Sequence, residues 1–160
     1  MTDDLHTGEL HPGQLGIARD IILDQPAGEV WRLVGTADGW QEWLVDRATV
    51  DVAEGGAGTV IDDGIVRDVD VLEVDASRSV TFRWWERDDP GSASVVSIHV
   101  HDMPGGGSRL RITERVVPGG AHATAACSAR PSACGTWSTW STWEVRACLL
   151  ALALHSRARV

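Results

Sequence analysis

Ser79-Val80-Thr81-Phe82-Arg83-Trp84-Trp85 is the stretch that decides the fold. Alternation puts Val80, Phe82 and Trp84 on one face of an extended chain and Thr81, Arg83 and Trp85 on the other, the period of a half-buried strand. The same period recurs upstream in residues 48–52, 58–61 and 65–74, and downstream in residues 94–101 and 109–116. The separators are turn-forming: Glu54-Gly55-Gly56, Asp62-Asp63-Gly64, Asp75-Ala76-Ser77, Asp88-Asp89-Pro90-Gly91 and Pro104-Gly105-Gly106-Gly107. Connections this short join neighbouring strands antiparallel, so the middle of the chain reads as a meander.

Ahead of the meander, residues 15–23 carry Leu15, Ile17, Ile21 and Ile22 and predict a strand that ends at Asp24-Gln25-Pro26. Pro26 suits the first turn of a helix, Glu29 adds an acid where the helix dipole favours one, and Val30, Trp31, Leu33 and Val34 form an apolar stripe that stops at Gly35. Asp38 is the expected cap of a second short helix over 39–44, with Trp40, Trp43 and Leu44 on one side. Behind the meander, residues 118–135 are rich in Ala, Gly, Ser and Cys and read as a loop or partly ordered linker. From Thr136 onward, Trp140, Trp143, Ala147, Leu150 and Leu154 follow the three-and-four spacing of one face of a long terminal helix. The expected class is α+β: a curved antiparallel sheet of about seven strands wrapped on that helix, with a hollow between them.

Composition bounds the function. The 160 residues suit one domain, residues 15–160, behind a flexible leader of residues 1–14. A chain of this size buries about two-thirds of its unfolded surface without metal or disulfide staples. Its 23 acids outweigh 14 bases, all of them Arg, and the net charge of −9 repels a phosphate backbone at long range, which argues against nucleic acid as a partner. Residues 1–16 lack the pattern of a signal peptide and the apolar run 147–154 is too short to span a bilayer, so the expectation is a cytoplasmic protein without membrane insertion. Cys127, Cys134 and Cys148 form an odd set with no CxxC and read as free thiols.

The opening strand followed by Pro26-Ala-Gly-Glu-Val-Trp-Arg-Leu-Val34 and Gly39-Trp-Gln-Glu-Trp-Leu44 resembles the start of the START-like helix-grip (SRPBCC) superfamily. Asp63-Gly64, then Val69-Asp-Val-Leu-Glu-Val-Asp75 and Ser79-Val-Thr-Phe-Arg-Trp84, is similar to the subgroup named for the activator of heat-shock protein 90 ATPase. The closing Ser108-Arg-Leu-Arg-Ile-Thr-Glu114 and the Trp-led terminal helix also fit, so the resemblance covers residues 15–116 and 140–154. It implies a helix-grip fold with a cavity. The superfamily includes lipid-transfer domains, binders of small apolar molecules, aromatic polyketide cyclases and stress-related co-chaperones, so function has to be argued from the site.

Within that fold Val96, Ile98 and Val100 point inward with Phe82 and Trp84, as do Leu110, Ile112 and, in the same register, Glu114. A carboxylate set among apolar neighbours needs an Arg or hydroxyl partner or favours its neutral form. Glu114 is therefore the polar candidate for touching a ligand or acting as acid or base, against the plainer reading that it reaches solvent near the strand end. Trp40, Trp43 and Trp84 offer flat walls and an indole N–H as a polar handle, against the plainer reading that they fill core volume. Val71, Phe82, Val96, Ile98, Ile112 and Leu150 complete the expected ligand wall.

His99, His101 and Asp102 have metal-like spacing, but the alternation turns both His outward beside Arg109 and Arg111, which disfavours a cation. No metal or cofactor is expected. Trp137, off the apolar face of the terminal helix, is expected to be exposed or at an interface, where a contact with a second copy is one expectation. No nucleophile elbow, triad or phosphate loop occurs, and the absence of Tyr removes phenol-dependent chemistry. Three readings stand: a non-catalytic carrier of a small hydrophobic or aromatic molecule, a cyclase-like or hydrolase enzyme with Glu114 as general base, and a co-chaperone-like interaction module with a chaperone partner, this last implied by the resemblance alone.

Overall fold

Asp63 and Gly64 both adopt positive φ, 50° and 78°, which is the mirror-image turn that Asp-Gly pairs favour between twisted strands. That turn is one of the hairpin connections in a computed structural model that describes residues 16–117. The elements run β1 (Gly16–Leu23), α1 (Ala27–Val34), α2 (Ala37–Trp43), β2 (Arg47–Val50), β3 (Ala57–Asp62), β4 (Ile65–Asp75), β5 (Ser79–Glu86), β6 (Asp89–Asp102) and β7 (Ser108–Val116). The strands form one seven-stranded sheet in the order β1-β7-β6-β5-β4-β3-β2, with every neighbouring pair antiparallel. The chain thus meanders back from β2 until β7 lies beside β1. The expected leader, the 118–135 linker, the terminal helix with Leu150, Trp137 and the three Cys all lie outside the described residues.

Three local readings need correction. The cap of α2 is Thr36 and not Asp38: Thr36 is extended, and its hydroxyl accepts a hydrogen bond from the Gly39 amide at 3.0 Å, leaving Asp38 inside the first turn. β6 starts earlier than expected, because Glu86 pairs with Asp89 across a tight turn, so Pro90 and Gly91 belong to the strand's first residues, where Pro is tolerated. β4 carries a bulge between Val71 and Glu73: Val71 faces Phe82, Glu73 faces Thr81, and the extra Leu72 is 48% exposed.

One face of the sheet is the core side. α1 packs against β6 and β7, and α2 packs against α1 and β2. Val30, Leu33 and Val34 of α1 and Trp40, Trp43 and Leu44 at α2 join Val60, Val69, Val71, Val80, Phe82, Val96, Ile98, Val100, Leu110 and Ile112 in one buried cluster. The two helices approach closely at Gly39, where an added Cβ would stand 2.5 Å from the Cα and carbonyl oxygen of Leu33. Among the described residues no helix is long and apolar enough to cross a membrane.

Candidate functional site

The cross-strand register builds the inner face row by row. Val71, Phe82, Val96 and Glu114 face one another in one row, and Val69, Trp84 and Ser94 in the next. Glu114 therefore lies diagonal to Trp84, on the face that carries Phe82 and Val96. The Ser94 hydroxyl donates to Glu114 Oε1 at 2.5 Å, and the Trp84 indole N–H is shared between Ser94 Oγ at 2.7 Å and Glu114 Oε1 at 3.2 Å. Two donors thus hold one carboxylate oxygen, an arrangement that is stronger than neutral hydrogen bonding and fixes the carboxylate's orientation. Of the partners that a carboxylate among apolar neighbours needs, a hydroxyl is present.

An aromatic row leads from the deep core to this cluster. The Trp40 and Phe82 rings lie 4.6 Å apart between centroids, tilted by 41°, and Phe82 meets Trp84 edge-on at 5.5 Å and 79°. The indoles of Trp40, Trp43 and Trp84 differ in what their N–H groups do. Trp40 Nε1 donates to the Val34 carbonyl at 2.6 Å and Trp43 Nε1 to the Leu33 carbonyl at 3.0 Å. These indoles satisfy carbonyls at the C-terminal end of α1 that have no intrahelical partner. Both side chains are fully buried, so their N–H groups tie α2 to α1 inside the core. Trp84, 5% exposed, is where the aromatic row reaches polar groups.

Beyond Trp84 the inner face becomes charged. The Arg67 guanidinium lies 4.9 Å from the Trp84 ring centroid, within cation–π range. Its nitrogens stand 3.7 Å from Asp62 Oδ2 and 3.6 Å from Glu86 Oε1. Arg67, Asp62, Glu86 and Ser94 were not singled out by sequence, although two signals were present. Ser94 keeps step with Val96, Ile98 and Val100, and Arg67 keeps step with Val69 and Val71, which puts both on the inner face.

Among the expected wall residues, Val71, Phe82, Val96, Ile98 and Ile112 all belong to the buried cluster, together with Trp40, Trp43 and Trp84, while Leu150 lies outside the described residues. His99 and His101 stack at 6.2 Å on the opposite face, across from Arg111 and Arg109. No group of three or more His, Cys, Asp or Glu side chains suited to a metal occurs among the described residues.

The arrangement has relatives. The model of the family described as Activator of Hsp90 ATPase homolog 1-like protein matches residues 24–134. A protein from Mesorhizobium loti has a crystal structure similar to this one at a TM-score of 0.67 and 21% identity, covering 91% of this chain and 99% of that one. The crystal structure of CalU16 from Micromonospora echinospora is similar at a TM-score of 0.52 and 23% identity, over 63% of this chain and 60% of that one. DynU16, a protein of the dynemicin biosynthetic locus, is similar at a TM-score of 0.64 and 17% identity, over 89% of this chain and 48% of that one. At these identities the likeness is one of fold. No curated protein matches the sequence.

Proposed function

The chain belongs to the Activator of Hsp90 ATPase homolog 1-like protein family, and from that premise we propose that it binds a small hydrophobic or aromatic molecule against the inner face of its sheet. The observation that carries this reading is the Glu114, Ser94 and Trp84 cluster, which sets an oriented carboxylate at the end of the Trp40, Phe82 and Trp84 row. Flat apolar walls with one fixed polar group are the usual composition of a small-molecule site. Burial of the ligand's apolar surface supplies affinity at about 25 cal/mol per Å² before ordering costs, and Glu114 selects its orientation. A structural neighbour from a biosynthetic locus, DynU16, is consistent with a small-molecule partner.

A second reading has one observation in its favour. Two donors on a single oxygen hold the Glu114 carboxylate in a set direction, as a general base requires. The carrier reading is preferred because the walls around the carboxylate, Phe82, Trp84 and Val96, are apolar or aromatic, which suits holding a ligand more than moving its protons.

Titration of the intrinsic Trp fluorescence with fatty acids, flavonoids and aromatic polyketides separates the two. A carrier shows saturable quenching by one class, with affinity reduced about tenfold in Glu114→Gln, the scale of one charged hydrogen bond. An enzyme keeps binding in Glu114→Gln and loses turnover of the bound class. A flat response across the panel rejects both.

A further inference from the structure

The outer face of the same strands holds a second polar arrangement, independent of the inner-face reading. Register stacks three outward rows across the sheet. Arg83, Val95 and Arg115 form the first, Thr81, Ser97, Thr113 and Ala18 the second, and Ser79, His99, Arg111 and Asp20 the third. The middle row is short and hydroxylated while its flanks carry long cationic side chains, so the surface dips between them. A pocket of about 140 Å³ lies there, lined among others by Ala18, Val95, Ser97, Thr113, Arg111, Arg115 and Glu114, whose carboxylate is held on the inner face by Ser94 and Trp84.

The polar side chains that the outward rows present to this hollow are donors. Arg111 and Arg115 are four residues apart on β7, about 13 Å along a strand, and so bracket it from both ends. Among the described residues the Arg115 guanidinium makes no hydrogen bond or ion pair. Among the described residues Arg111 has only a 3.8 Å contact to Asp20 Oδ2, because that carboxylate is engaged more closely by Arg109 at 2.9 Å. Ser97 Oγ accepts from the Thr81 hydroxyl at 3.1 Å, which leaves its own proton to donate. Thr113 is half-buried and its hydroxyl has no partner among the described residues. The floor, Val95, is 7% exposed and contributes no competing acceptor side chain. The carboxylates of this face, Asp20 on β1 and Asp70 and Glu73 on β4, stand at its margins in rows beside Arg111, Arg83 and Thr81.

A planar carboxylate would engage one guanidinium edge-on and leave the other donors idle. A tetrahedral oxyanion presents acceptors toward both arginines and toward the hydroxyl floor at once. We infer that this outer hollow binds a phosphate group, either free phosphate or the monoester of a small molecule, between Arg111 and Arg115 and over Ser97 and Thr113. In a chain of net charge −9 such a site works only through this local concentration of donors.

The test is a backbone-amide NMR titration of the full chain with inorganic phosphate and, separately, phenyl phosphate, against sodium chloride at matched ionic strength. Expected are saturable shifts centred on Ala18, Ser97 and Thr113, with affinity falling about tenfold in Arg115→Gln and again in Arg111→Gln. Thr113→Val gives a smaller loss, and Arg47→Gln, exposed on β2, changes nothing. Equal shifts with chloride, or no saturation with either phosphate, overturns the inference. Binding of phenyl phosphate that survives both Arg substitutions overturns it too, because an apolar contact would then be responsible.

Discussion

Along β6 and β7, consecutive residues serve two different environments. The inward series Ser94, Val96, Ile98, Val100 and Leu110, Ile112, Glu114 is apolar except at one end, where its polar members bond to each other and to Trp84. The outward series Val95, Ser97, His99, His101 and Arg109, Arg111, Thr113, Arg115 is polar nearly throughout, and its arginines are exposed, with Arg109 and Arg111 meeting Asp20 at 2.9 and 3.8 Å. The same backbone ladder supports both. The difference teaches that stability and orientation are concentrated on the inner side, while the outer side is energetically cheap and free to carry charge for recognition.

The largest effect that tests this contrast is Phe82→Ala. Phe82 is fully buried between Trp40 and Trp84, so its removal leaves a cavity in the middle of the aromatic row. A loss of about 3–5 kcal/mol is expected in urea unfolding, with the midpoint shifted. Thr81→Ala, the adjacent outward residue, removes only the hydroxyl bond to Ser97 and costs about 1 kcal/mol or less. Similar losses for the two would mean that the inner face is not the packed side, and the contrast would fail.

Ser94→Ala addresses the polar end of the inner face. It deletes a hydroxyl that donates to Glu114 and accepts from Trp84, leaving the half-buried carboxylate and the buried indole N–H to rearrange. About 1–3 kcal/mol is expected, because the cost comes from an under-satisfied carboxylate and not from lost volume. The double variant Ser94→Ala with Glu114→Gln should cost less than the sum of the singles. Additive losses would show that the two side chains do not act as a unit.

The contrast between faces was readable in the sequence because it is a matter of alternation. The 79–85 stretch set the inward parity of Phe82 and Trp84, the Asp-Gly and Gly-rich separators set the meander, and parity carried Glu114 to the inner face. Less readable were features in which two local solutions compete. Thr36 and Asp38 can each cap a helix, and only the extended backbone at Thr36 decides between them. The β4 bulge left a trace in the apolar spacing of Val69, Val71 and Val74, which is two and then three, but an exposed Leu72 between them masks the break in period. The partners of Glu114 are set by pairing between strands far apart in sequence. A hydroxyl requirement could be stated in advance, whereas Ser94 as its donor depends on the β6 to β7 register.

The smallest effect lies on the outer face at Asp20. Its Oδ1 accepts from Arg109 Nε at 2.9 Å, and that hydrogen bond holds the carboxyl below the ordinary aspartate value of 3.8. Partial desolvation opposes the shift, and the charges of Arg109, Arg111 and His101 add to it. Because the folded-state pKa is depressed, the pair stabilises the fold above the unfolded value and loses that contribution as pH falls through the folded value. Both side chains are about two-fifths exposed, 44% for Arg109 and 38% for Asp20, so solvent screening keeps the gain small. Asp20→Asn should therefore differ slightly from the parent in urea midpoint at neutral pH, and the gap should narrow progressively below about pH 4. Added salt should narrow it as well. A gap that is insensitive to both would assign the loss to side-chain packing, and the outer face would then share the character of the inner one.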